Sequence, residues 1–158
     1  MKRIAAFLLL GICCVPFLLA QTSQEQRIRN TCEEFFMALN QGDSTKMRTL
    51  VHPKLTLHSN TFSKQQNKLV YQSHNEADAE FFLQEIAAIR NEVWMEKIID
   101  WKIQSDEAIA NVWASYEFYV NKKMVHSGVN SMQLILQNGS WKIVSILDSR
   151  FPAQTDKK

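Results

Sequence analysis

The stretch from Asn111 to Arg150, NVWASYEFYVNKKMVHSGVNSMQLILQNGSWKIVSILDSR, is dense in β-branched and aromatic residues and is cut by two turn signals. Asn138-Gly139 is the strongest hairpin dipeptide in the chain, because both residues tolerate the positive φ that a two-residue turn requires. Asn121-Lys122 holds the equivalent place between the preceding pair of strands. Three antiparallel strands are therefore expected. In the first, from Ala108 to Val120, apolar and aromatic residues occupy both parities, so both of its faces should be covered.

Counting outward from the turns gives an expected register. Pairing Gln137 with Ser140 across Asn138-Gly139 puts Leu134 opposite Ile143, Met132 opposite Ser145 and Asn130 opposite Leu147. With a two-residue turn at Asn121-Lys122, Trp113 faces Asn130 and Glu117 faces His126. One face would then carry Trp113, Glu117, His126, Asn130, Met132 and Ser145, the mix of apolar walls and a few polar groups that small-molecule pockets use. Asp148 and Arg150 fall on the other face in this register unless a bulge intervenes, and there they would make an ion pair or a dimer contact.

Upstream of this stretch, Ile99, Trp101 and Ile103 alternate with Asp100 and Lys102 in a strand expected from Trp94 to Gln104, closed by a turn at Ser105-Asp106-Glu107. Ser73 with Glu76 forms a capping box for a helix lined by Phe82, Ile86 and Ile89 and ending near Arg90. Between Ser59 and Gln72 the chain is polar and lacks a clear period, which predicts a flexible hairpin or loop, with Lys68 to Tyr71 able to add an edge strand. Leu55 to His58 alternates as a short strand. A first helix, opened by a capping box at Thr22 or Ser23, buries Ile28, Cys32, Phe35, Phe36 and Leu39 and stops at Gly42. Asp43 caps a second, short helix that ends before His52-Pro53. Helices first and long hairpin strands after make an α+β order, with helices covering one side of a curling sheet.

The chain has 158 residues, 46% of them hydrophobic, with four glycines and three prolines, which suits one domain with a packed core. Its first twenty residues, MKRIAAFLLLGICCVPFLLA, have a basic start, an apolar run interrupted by Gly11 and Pro16, and a small residue at the end, which is the pattern of a secretory signal. Cleavage after Ala20 is expected, giving an exported domain over residues 21–152, periplasmic or secreted, with a disordered tail over 153–158 and no membrane attachment after cleavage. Cys13 follows Ile12 and lies too early in the run for a lipid-modified cysteine. Loss of Lys2 and Arg3 leaves as many basic as acidic residues, and a neutral domain without a basic stripe does not suit nucleic acid. Cys32, the one cysteine left, cannot form an internal disulfide and reads as a small apolar residue on the buried stripe.

His126 opposite Glu117 is the sharpest chemical pair in the expected register. A carboxylate accepting a hydrogen bond from the imidazole would fix its tautomer and raise its basicity, making His126 a general base with Glu117 orienting it. A cross-strand salt bridge on a half-exposed face is the alternative. His52, His58, His74 and His126 have no metal-ligand spacing, and the chain lacks a phosphate loop, a dinucleotide fingerprint and a serine-hydrolase elbow, so neither a metal nor a cofactor is expected.

Trp94-x-Glu96, Val112-Trp113-Ala114-x-Tyr116-x-Phe118, His126-x-Gly128, Trp141-Lys142-Ile143 and Asp148-x-Arg150 together resemble the nuclear transport factor 2-like superfamily, in its SnoaL-like and lumazine-binding-like exported branch. The resemblance implies a cone: N-terminal helices packed on a strongly curved antiparallel sheet, with a pocket inside and a homodimer through the outer face of the sheet. Ligand contacts are expected from Trp113, Asn130 and Met132 on the face that the register defines, with Tyr116, and the family motif adds Asp148 and Arg150; His58 points from its strand into the cone or, the stronger reading, lies at the surface. A small hydrophobic or heteroaromatic ligand is expected. Asn130 stands where the branch has an acid, and Lys122 where it has a glycine. Three functions are compatible with these features: a ligand-binding domain without catalysis, a cofactor-free isomerase, cyclase or dehydratase using His126, and a dimeric interaction module.

Overall fold

A computed structural model describes residues 15–74, 76–87 and 92–153. The elements run α1 (Val15–Gln41), α2 (Ser44–Leu50), β1 (Val51–Ser63), β2 (Lys68–His74), α3 (Glu76–Ala87), β3 (Trp94–Ser105), β4 (Ile109–Val120), β5 (Lys123–Gln137) and β6 (Ser140–Pro152). The first fourteen residues of the expected leader, the helical extension toward Arg90 and the tail from residue 154 lie outside the described residues. No described helix is long and apolar enough to cross a membrane.

Local sequence accounts for most boundaries. Gly42, at φ 73°, ends α1, and the Asp43 carboxylate accepts from the Lys46 N–H at 2.8 Å to cap α2. Both β-hairpin turns close as expected: Asn121 and Lys122, and Asn138 and Gly139, all have positive φ. Asp106 Oδ1 accepts from the N–H groups of Ala108 and Ile109, each at 2.8 Å, and so forms the turn into β4. Three boundaries differ from expectation. α1 begins at Val15, upstream of the Thr22-Ser23 box. Ser73 lies within β2 and α3 starts at Glu76. The strand expected over Leu55 to His58 is longer, β1 running from Val51 to Ser63, and the polar segment after His58 takes the hairpin alternative, with Lys68 to Tyr71 in the edge strand β2, because backbone pairing at a sheet edge does not require apolar side chains.

The six strands form one sheet in the order β2-β1-β6-β5-β4-β3. It is mixed rather than wholly antiparallel, since β1 lies parallel to β6. The helices cover one face, and between them and the sheet Ile28, Cys32, Met47, Leu55, Ile86, Val112, Met132, Leu134 and Ile143 are completely or almost completely buried. Each large aliphatic side chain of this set contributes about 1.5–3 kcal/mol.

The decisive departures are three single-residue bulges. Met124 pairs with Tyr119 but His126 pairs with Phe118, which leaves Val125 as an extra residue in β5. Leu134 pairs with Ile143 but Gln133 pairs with Ser145, which makes Val144 the extra residue in β6. Ile98 pairs with Tyr116 and Asp100 with Ser115, so Ile99 bulges out of β3 and is 52% exposed, breaking the alternation with Trp101 and Ile103. A bulge increases local twist and bends its strand, which is how a sheet comes to curl around its helices.

Candidate functional site

Each bulge moves every residue beyond it to the other face of the sheet. The shift at Val144 brings Asn130 opposite Asp148 and Gly128 opposite Arg150, and the shift at Val125 brings Ala114 opposite Asn130 and Phe118 opposite His126. The inner face therefore carries a row across five strands, Ala114, Asn130, Asp148, Ser59 and Gln72, with Tyr116, Gly128 and Arg150 in the next row and Glu96, Phe118 and His126 in the one after. These rows form the polar wall of a cavity of about 650 Å³ between sheet and helices. The opposite wall is apolar, built from Phe35, Phe36 and Leu39 of α1 and Phe82 and Ile86 of α3, with Trp94 and Phe118 closing the sides.

Several expected placements are overturned by this register. Glu117 pairs with Ser127 rather than His126; its carboxylate accepts from the Tyr119 hydroxyl at 2.7 Å and lies 3.8 Å from the Lys97 ammonium, on the face away from the cavity. Trp113 pairs with Ser131 rather than Asn130 and is 51% exposed on that outer face. Met132 pairs with Ile146, not Ser145, and is fully buried in the core rather than lining the cavity. Asp148 and Arg150, expected on the far face, line the cavity, because Val144 supplies the bulge. Tyr116, Asn130 and His126 line it as well. His58 contributes to its wall while the ring stacks on Tyr71 and Nδ1 lies 3.0 Å from the Tyr71 hydroxyl.

Asp148 is the hub of the polar wall. Its carboxylate is almost fully buried, accepts from the Ser59 hydroxyl and pairs with the Arg150 Nε. The Tyr116 hydroxyl lies 3.4 Å from Asp148 Oδ2 and donates to the Ser149 carbonyl at 3.1 Å. Burial, followed by the nearby charges of Asp148 and Glu96, raises the Tyr116 phenol well above its ordinary pKa, so this hydroxyl is a donor and not a base. Gly128 sits directly opposite Tyr116, and a Cβ there would meet the Ser149 carbonyl oxygen at 1.7 Å. Only glycine lets β6 come close enough for Tyr116 to reach across β5.

His126 stacks on Phe118 with ring centroids 4.8 Å apart and meets Tyr116 edge-on at 5.7 Å. Burial, helped by the Arg150 charge, lowers its pKa and holds it neutral, and Glu117 does not orient it. The general-base pair expected from the sequence is therefore not assembled.

Glu96 was not among the expected site residues. It lies on β3, an edge strand, where one row of backbone groups has no partner strand. Asn40 of α1 fills that gap: its amide nitrogen donates to the Glu96 carbonyl at 3.1 Å and its oxygen accepts from the Glu96 N–H at 2.7 Å. So pinned, Glu96 projects into the cavity, and its Oε1 accepts from the Asn130 amide at 2.6 Å. Burial raises its pKa to about 7, with Asp148 adding to the rise and the Asn130 bond and Arg150 opposing it. The signal was present in Trp94-x-Glu96-x-Ile98, an acid alternating with inward apolar residues.

Fold and site together define a helix-covered sheet enclosing a cavity with one polar wall. The chain belongs to the family described as "Putative lumazine-binding", whose sequence profile matches residues 23–147, and it has the NTF2-like fold. Among solved structures it is similar to an NTF2-like protein of unknown function from Shewanella baltica, with 17% identity and a TM-score of 0.59 over 84% of this chain and 97% of that one. It is also similar to an NTF2-like protein from Cytophaga hutchinsonii, with 11% identity and a TM-score of 0.63 over 81% and 98%. A protein from Streptomyces avermitilis described as a "putative dehydratase" of the NTF2-like family gives 13% identity and a TM-score of 0.67 over 84% and 99%. At these identities the likeness is one of fold. No curated protein matches the chain.

Proposed function

We propose that this chain is an exported small-molecule-binding domain that takes a largely apolar, planar ligand into the cavity between its helices and its sheet. The observation that supports this most is the cavity itself: about 650 Å³, within the range of small-molecule sites, aromatic on one side and polar on the other. The leader-like first twenty residues support export. Given the family description, lumazine-type heterocycles belong in the first panel of compounds, beside uncharged aromatic metabolites. The test is thermal shift combined with quenching of tryptophan fluorescence, since Trp94 lines the cavity. A ligand should raise the melting temperature and quench saturably; a panel that does neither, with the protein folded, overturns the reading. For export, the mass of the mature protein should correspond to a start at Gln21.

A second reading has its own support, self-association through the outer face of the sheet. Trp113, Ser131 and Leu147 form one row there, and Phe151 lies further along β6. Trp113, Leu147 and Phe151 are 51%, 44% and 45% exposed, an apolar patch of the kind that marks interfaces.

A further inference from the structure

We propose that Glu96, in its protonated form, is the hydrogen-bond donor through which the cavity recognises its ligand, and that the ligand is an uncharged molecule carrying a carbonyl or ring-nitrogen acceptor. This rests on the ligand-binding reading above and specifies its chemistry.

The geometry prepares Glu96 for that role. Asn40 fixes the backbone on both sides of the residue, and the Asn130 amide occupies Oε1. Oε2 has no hydrogen-bond partner among the described residues and belongs to a side chain that lines the cavity. A carboxyl group held by a donor on one oxygen keeps its proton on the other, where it points to whatever fills the cavity. The apolar wall of Phe35, Phe36, Phe82, Trp94 and Phe118 gives an ionised carboxylate no compensation.

The charged and titratable groups around it lead to the same conclusion. β6 presents Asp148 and Arg150, which pair with each other, so their charges largely cancel. β5 presents neutral His126 and Asn130, and β4 presents Tyr116. α1 adds only apolar residues to the lining, β1 adds His58 and Ser59, β2 adds Gln72, and α3 adds Glu85. Among the described lining residues no cation is left over for Glu96, and its pKa of about 7 arises chiefly from burial. Protonated, it donates to a neutral acceptor. Ionised, it repels that acceptor's lone pair and would favour a cation instead. The direction of the pH dependence therefore distinguishes the two ligand classes.

The test uses prodan, an uncharged naphthyl ketone whose emission shifts when its carbonyl is hydrogen-bonded, with dimethylaminonaphthalene as the carbonyl-free comparison. Prodan should bind the full chain with constant affinity below about pH 7 and lose up to about tenfold per pH unit above it, as expected for linkage to one proton. Glu96→Gln keeps a donor at the same place, so it should bind prodan and lose the pH dependence. Asn130→Ala removes the bond that favours the ionised form, so the midpoint should move to higher pH. Dimethylaminonaphthalene should bind more weakly, without a pH dependence. Prodan affinity that is flat with pH, that rises with pH, or that keeps its pH dependence in Glu96→Gln overturns the assignment while leaving ligand binding intact. Failure of both dyes to bind the folded protein counts against both the assignment and the ligand-binding reading.

Discussion

At the scale of single residues, Glu96 sets a pH dependence of stability. Burial raises its pKa from 4.5 to about 7, so the folded chain keeps a proton that the unfolded chain releases between those values. The folded state binds more protons in that window, and stability therefore falls as pH rises through it. The loss amounts to at most about 3.5 kcal/mol, at about 1.4 kcal/mol per pH unit. Urea titrations near pH 4.5 and pH 7 should show the wild type losing stability relative to Glu96→Gln across this range; parallel curves would show that the carboxyl is not buried in solution. Cys32 gives a second residue-scale expectation. It is fully buried on α1 and desolvation pushes its thiol up to about 12. Iodoacetamide should leave it unmodified in the native protein and label it once guanidinium unfolds the chain.

At the scale of elements, the joints between strands and helices carry the site. Gly128→Ala would drive a methyl group into the Ser149 carbonyl, 1.7 Å away, and β5 and β6 would have to separate. The expected cost is about 3 kcal/mol, the upper end for overpacking, with loss of the Tyr116 bond to Ser149. Chemical denaturation reads the first, and a change in tyrosine absorbance the second. Asn40→Ala removes two hydrogen bonds that tie α1 to the exposed backbone of β3. It should cost about 2 kcal/mol and speed amide exchange at Glu96 while leaving the far edge strand, β2, unaffected. The hairpins show how much of an element is legible locally. Both turns can be read from their own dipeptides, because positive φ at Asn121, Asn138 and Gly139 is a local preference, and Lys122 follows Asn121 into the same region to close its turn. The register beyond them is not local: Val125 and Val144 look like ordinary strand residues, yet each inserts one position and reverses the facing of every later residue in its strand.

At the scale of the whole molecule, the sheet has two faces of different character. The inner face closes the cavity. The outer face exposes Trp113 on β4 and Leu147 and Phe151 on β6, the two strands that flank β5. Sedimentation equilibrium should find a dimer, and Trp113→Glu should convert it to a monomer with unchanged ligand affinity, since Trp113 is not among the lining residues. A wild-type monomer at all concentrations would remove the self-association reading without affecting the cavity.

The sequence by itself determined the α+β order, the apolar stripe of α1, the Asp43 cap of α2, the two hairpin turns, and the family to which the chain belongs, because each depends on local periodicity or on short motifs. His126, Tyr116 and Asn130, which it singled out, line the cavity. Tertiary structure decided which residues share a face. One extra residue at Val144 turned Asp148 and Arg150 into the cavity, one at Val125 separated His126 from Glu117, and the packing of α1 against the β3 edge made Glu96 a cavity residue. A strand has a side-chain period of two, so a bulge is a change of one position with an all-or-none effect on facing. It is stabilised by packing across the whole sheet rather than by the residues beside it.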